Sequence, residues 1–175
     1  MAGSPAAGEG THAAEAPARD EPALLMFFYG TLKRARRNHE AFCRGARFVD
    51  EAAVRGRLYD LPYGYPALTV LPEDVLVVGT ADPAGDAKIQ RRLGSEETRP
   101  SEGPRVFGEL FAFDDPVERL PALDRLEGFD PRDRLSPYRR VLLPVETASN
   151  SGALAWAYVV ETASGVHLPE GRWPP

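Results

Sequence analysis

The sequence predicts an α+β domain in which a curled, mixed sheet carries two or three flanking helices. Three observations lead there. The chain has 175 residues, 43% of them hydrophobic, enough for one sizeable core and too few for two independent ones. Apolar runs of strand length recur along it. Helical spacing appears only in short stretches between them, without the regular alternation of a βαβ array.

In chain order, residues 1–22 are rich in Ala, Gly, Pro and Glu and hold almost nothing to bury, so they read as a disordered leader. They have neither the basic start nor the apolar stretch of a signal peptide. The domain, residues 23–175, opens on Leu24-Leu25-Met26-Phe27-Phe28-Tyr29, the continuous apolar run of a strand buried on both faces. Gly30 ends it, Thr31-Leu32-Lys33-Arg34 follow, and a helix is expected near Asn38–Gly45.

Val54 to Leu61 is strand-like, and Gly64-Tyr65-Pro66 turns the chain into a short apolar piece, Ala67–Leu71. From about 81 to 103, Asp, Gly, Arg, Glu and Pro dominate without a sustained period. This segment is expected to be a long surface insertion with one helical turn at Lys88–Leu93. Val106–Phe113 resumes as a strand covered on both faces. Asp114 or Asp115 can cap a helix with Pro116 at its first position. Val117, Leu120, Leu123 and Leu126 then recur at threes, with Gly128 just past the end. Tyr138–Glu146 and Ala153–Val160 are two more strands, joined by Ser149-Asn150-Ser151-Gly152.

Composition removes several function classes. Lys plus Arg number 21 against 26 Asp plus Glu, so no basic surplus exists for a phosphate backbone and nucleic acid is not an expected partner. No run approaches the roughly 18–20 apolar residues that span a bilayer. Cys43 is the sole cysteine, which excludes an intrachain disulfide and fits a reducing cytoplasm. His12, His39 and His167 are scattered and show no metal-ligand spacing. Cys43 sits in apolar Ala41-Phe42-Cys43, the context of a buried thiol more than of a nucleophile.

Two local features rise above this background. Phe28-Tyr29-Gly30-Thr31-Leu32 ends a buried strand in glycine, where bare N–H groups can meet a ligand oxygen; an ordinary tight turn has the same pattern. Glu127, in Leu123-Asp124-Arg125-Leu126-Glu127-Gly128-Phe129, falls at the C-terminal end of a helix. The helix dipole opposes an anion there, and Leu126 and Phe129 add desolvation. A carboxyl so shifted can both take and give a proton, whereas a solvated surface Glu is the ordinary alternative.

These residues resemble a known family. Tyr29-Gly30-Thr31-Leu32-Lys33-Arg34 with Asn38-His39 is similar to the opening signature of gamma-glutamylamine cyclotransferases and their bacterial relatives. The resemblance continues, in the family's order, through Gly56–Leu61, Gly64–Leu68, Val106–Phe111, Leu123–Gly128, Ser136–Arg140 and Ala155–Tyr158. It covers about residues 25–160 apart from 81–103, and the ordered set is far more specific than any one block. It implies a small β-barrel-like α+β fold and release of 5-oxoproline from a gamma-glutamyl amide or amine. It also implies that Tyr29, Gly30, Thr31 and Leu32 hold the glutamyl part, that Glu127 is the general acid/base, and that Tyr138 lines the pocket. The implied partner is a small gamma-glutamyl molecule; no metal, cofactor or covalent intermediate is needed, because the substrate's own α-amine is the nucleophile.

Two departures stand out. Ala35-Arg36-Arg37 occupies a place where relatives usually carry glycine, and the 81–103 segment is longer than the usual connection. Two other functions compete: a non-catalytic module that binds a gamma-glutamyl or other small acidic ligand, and a hydrolase using Cys43 or Glu127 with water. Oligomeric state is not legible.

Overall fold

The computed structural model describes residues 24–94 and 98–175; the leader expected at 1–22 lies outside them. Strand β1 (Leu24–Phe28) is followed by a short helix α1 (His39–Phe42), then β2 (Arg47–Arg55), β3 (Arg57–Leu61), β4 (Tyr65–Thr69) and β5 (Val77–Val78). Helix α2 (Pro83–Leu93), β6 (Arg105–Phe113), α3 (Pro116–Glu127), β7 (Arg139–Thr147), β8 (Gly152–Val159) and β9 (Val166–Leu168) complete the order. The larger sheet runs β2-β6-β1-β8-β7-β5, and β2 pairs again with β7, which closes a five-stranded barrel with β5 appended. Among the described residues only β1 and β8 run parallel, with Met26 opposite Trp156, so the sheet is mixed. Strands β4-β3-β9 form a separate small sheet.

Period-two alternation sorts the apolar residues into two cores. Phe27, Val54, Leu110, Val141, Leu143 and Ala155 come from all five strands of the barrel and fill its interior. Met26, Phe28, Phe111, Leu142 and Trp156 point the other way and meet Leu120 and Leu123 of α3.

Three expectations need correction. The helix near Asn38–Gly45 is only His39–Phe42. The strand expected at Val54–Leu61 is two strands broken at Gly56, where a Cβ would lie 2.7 Å from the Thr69 carbonyl oxygen, and the first of them begins at Arg47. The 81–103 segment has more helix than the single turn expected at Lys88–Leu93. It holds the eleven-residue α2, capped by Asp82, whose side chain accepts from the Gly85 N–H at 3.0 Å. Its buried face is polar: Gln90 accepts from the Leu25 N–H at 3.0 Å and donates to the carbonyls of Leu25 and Leu154. A helix docked by hydrogen bonds leaves no hydrophobic stripe to be read.

Candidate active site

A cavity of about 330 Å³ opens where the end of β1, the end of α3, the start of β7 and the β3–β4 hairpin converge. It brings together Tyr29, Gly30, Thr31, Leu32, Glu127 and Tyr138, the residues that the sequence and its resemblance place in the site.

The β1 side is set by a close approach. A Cβ on Gly30 would lie 2.8 Å from Pro66 Cγ, so the glycine lets β4 press against the end of β1. Beyond it the chain turns, with the Lys33 N–H donating to the Gly30 carbonyl at 3.2 Å and the Asn38 N–H to the Thr31 carbonyl at 3.2 Å. Asn38 Nδ2 donates to Thr31 Oγ1 at 2.9 Å. The Leu32 side chain is buried in the helix-side core, and its carbonyl accepts from His39 Nδ1 at 2.7 Å. Glu109 on β6 accepts from the Arg34 N–H at 2.8 Å and from Arg34 Nε at 3.1 Å. Among the described residues nothing accepts from the N–H groups of Thr31 and Leu32, which line the cavity on a firmly tethered loop.

The opposite side is the end of α3. Gly128 adopts a left-handed conformation, φ 72°, and its N–H donates to the Asp124 carbonyl, which stops the helix directly after Glu127. Glu127 keeps partial exposure toward the cavity, and among the described residues no hydrogen bond reaches its carboxylate. Loss of water through burial pushes this carboxyl up to about 7.

Two phenols complete the walls. Tyr29 Oη donates to the Tyr158 carbonyl at 2.8 Å, and Tyr138 Oη donates to the Pro66 carbonyl at 3.1 Å. Burial holds both above the ordinary tyrosine range, so both stay protonated. Each proton is committed to a backbone carbonyl, so toward any further partner each phenol oxygen can act only as an acceptor.

Cys43 lies elsewhere. It sits in the helix-side core with Sγ directed at the Leu32 carbonyl, 3.7 Å away, and burial pushes the thiol up to about 12. Among the described residues no group of three or more His, Cys, Asp or Glu side chains is placed to hold a metal ion. No helix among them is long and apolar enough to cross a membrane.

Pattern reading did not single out Tyr65, Pro66 or Tyr158 as cavity residues, nor Glu109 as the anchor of the loop. Tyr65-Pro66 and Tyr158 do lie within blocks quoted for the resemblance, which was the available signal. Glu109 also lies within a quoted block, Val106–Phe111, but its tie to the loop depends on Arg34, far away in the chain.

The fold is similar to that of an AIG2-like protein from Mus musculus, at 20% identity over 81% of this chain and 79% of that one, with a TM-score of 0.51. It is similar also to YkqA from Bacillus subtilis, at 20% identity, 86% of this chain, 39% of that one and a TM-score of 0.53. At such identities the likeness speaks to the fold alone. None of the curated proteins matches the sequence. The signature of the family described as "Gamma-glutamyl cyclotransferase, AIG2-like" matches residues 26–93 and 93–175. On a match that takes in both sides of the cavity and nearly all of the domain, the chain belongs to the AIG2-like gamma-glutamyl cyclotransferase family.

Proposed function

We propose that this protein is a gamma-glutamyl cyclotransferase that releases 5-oxoproline from a gamma-glutamyl amine or amide, with Glu127 as general acid and base. The observation that carries the proposal is an unpaired carboxyl, raised towards neutrality by burial, that lines the same small cavity as Thr31 and Leu32, whose backbone N–H groups have no acceptor among the described residues.

In this reading the substrate's α-ammonium gives a proton to the Glu127 carboxylate. The freed amine attacks the γ-carbonyl carbon, forming the ring C–N bond and a tetrahedral oxyanion. Glu127 then moves a proton from the ring nitrogen to the departing nitrogen, and the original amide C–N bond breaks. The two protons lost by the α-nitrogen appear on the released ammonium, and Glu127 ends as it began.

The energetics suit these groups. An α-ammonium is a weaker acid than a carboxyl raised to about 7, so the transfer is uphill, but by far less than to a carboxyl of ordinary pKa. Holding the reactive conformer can supply about 7–11 kcal/mol without any group from the protein forming a bond. The Thr31 and Leu32 N–H groups are suited to the α-carboxylate or the oxyanion, and the phenol oxygens of Tyr29 and Tyr138 to the α-ammonium.

The test is mass-spectrometric product analysis with gamma-glutamyl amines, dipeptides and glutathione. Native protein should yield 5-oxoproline and free amine, and Glu127→Gln should lose about 10²–10⁴-fold in turnover while still binding substrate. Free glutamate as product would replace this reading with hydrolysis, and full activity in Glu127→Gln would remove the assigned role. Cys43→Ser should keep turnover within about threefold, because a neutral buried thiol off the cavity has no nucleophilic part to play. A collapse of activity in folded Cys43→Ser would restore the thiol as a candidate.

A further inference from the structure

Five consecutive positions after the substrate loop, Lys33 to Arg37, carry four cationic side chains. Three are engaged within the protein. Lys33 Nζ donates to the Trp173 carbonyl at 2.6 Å, Arg34 pairs with Glu109 at 3.1 Å, and the Arg36 guanidinium lies 5.9 Å from the Trp173 ring centroid. Arg37 has no hydrogen bond or ion pair among the described residues, and it is the one that lines the cavity. On the facing wall Arg125, in the last turn of α3, also lines the cavity, is exposed, and likewise lacks a partner among the described residues.

Both side chains belong to the open end. Tyr29, Phe28 and Tyr158 form a buried inner wall, while Arg37 and Arg125 are solvent-exposed. Neither acts as a counter-ion for the carboxyl between them, since burial alone sets the shift of Glu127 and no nearby cation pulls its proton affinity down. A glutamyl group that closes on itself has a fixed size and suits the inner end. The departing amine varies and must leave through the mouth.

Resting on the cyclotransferase reading, the geometry points to a leaving-group subsite formed by Arg37 and Arg125 that selects gamma-glutamyl compounds whose amine portion carries a carboxylate. The chain as a whole has a net charge of −5, so these cations run against its overall sign and mark the mouth as the place where an anion is drawn in. A planar guanidinium takes a carboxylate through paired hydrogen bonds, which a neutral amide cannot match. Arg37 belongs to the stretch that departs from the usual family pattern while Arg125 lies in a block that follows it, so it is the pairing of the two that marks this chain. Contacts to a part of the substrate that does not react are made alike before and during the reaction, so the effect belongs in KM more than in kcat.

The experiment pairs gamma-glutamyl-β-alanine with gamma-glutamyl-β-alaninamide, which match in shape and differ in charge. Native protein should favour the carboxylate by about tenfold in kcat/KM, chiefly through KM, with the ratio shrinking at high salt. In the Arg37→Met, Arg125→Met double variant the ratio should approach one, and the two Arg→Lys substitutions should restore it only in part. Calorimetric binding of the same pair to Glu127→Gln reads the subsite without turnover. Equal cyclisation of both compounds by native protein overturns the subsite and leaves the cyclotransferase intact. So does a preference that survives in the double variant. Carboxylate-dependent binding that the double variant loses, in a native protein that cyclises neither, sinks the cyclotransferase and keeps the subsite. No binding of either compound overturns both.

Discussion

At Glu127 the feature that suits catalysis is also a cost to the fold. Its pKa is raised from 4.5 to about 7 because the folded chain withdraws water from the carboxylate without supplying a donor. The sign of the consequence follows from proton binding. Between those two values the unfolded chain loses this proton while the folded chain keeps it, so stability falls as pH rises through the window and levels off above it. Glu127→Gln removes the penalty. The variant should exceed native protein in urea denaturation by on the order of 2 kcal/mol at pH 8, after allowance for the residue's partial exposure, and by little at pH 4. A difference that does not change with pH would show that the carboxyl stays hydrated in the folded state. Sequence placed Glu127 at the helix end next to apolar neighbours, which is why its direction of shift was legible. That no partner would satisfy it depends on side chains far away in the chain, and was not.

Among the elements, the loop between β1 and α1 carries a local conflict. Ala35 has φ 58°, a left-handed conformation that glycine adopts freely and alanine does not. It belongs to the stretch Ala35-Arg36-Arg37, where the resembling sequences usually carry glycine. The strain of about 1–2 kcal/mol is offset in part by the smaller entropy that alanine loses on folding. Ala35→Gly should therefore stabilise the protein by about 0.5–1 kcal/mol, or a rise of about 2 °C in melting temperature. A fall in melting temperature would mean that the loop does not hold this conformation in solution. Helix α3 was readable because Pro116, the leucines at threes and Gly128 agree with one another. Helix α2 was not, because Asp86 and Gln90 take the buried places where a period would need leucines.

At the scale of the whole molecule, single strands were legible and their closure was not. Apolar runs locate β1, β6, β7 and β8, but the order of pairing rests on contacts such as Ala53 opposite Glu146, which no local pattern encodes. Nor does any pattern reveal the polar clamp that, beside the Gln90 bonds and the α3 leucines, fastens α2 and α3 to the closed barrel. That is Arg140, fully buried on β7, whose Nε donates to Asp124 on α3 at 2.9 Å, Nη1 to Asp86 on α2 at 2.9 Å and Nη2 to the Thr80 carbonyl at 3.0 Å. Tyr158 Oη adds a bond to Asp124 at 2.7 Å, and Asp86 accepts from the Thr80 N–H and hydroxyl. Gly79 is kept small by the same group, since a Cβ there would lie 2.8 Å from the Arg140 Cζ. One guanidinium thus joins barrel, α2 and α3, and Asp124 is one turn from Glu127, so the clamp also fixes the end of α3 that carries Glu127. Arg140→Met leaves two buried carboxylates without a cation, which should cost about 3–5 kcal/mol and lower the melting temperature on the order of 10 °C. Burial already raises the Asp124 carboxyl above its ordinary value against the pull of Arg140, and loss of that cation lets it rise further in the folded chain. The deficit should accordingly be smaller at pH 5 than at pH 8. Scanning calorimetry of native and variant protein at both pH values is the check. A deficit of equal size at the two would mean that lost packing against the Trp156 and Phe129 rings, and not the stranded charge, is what the substitution removes.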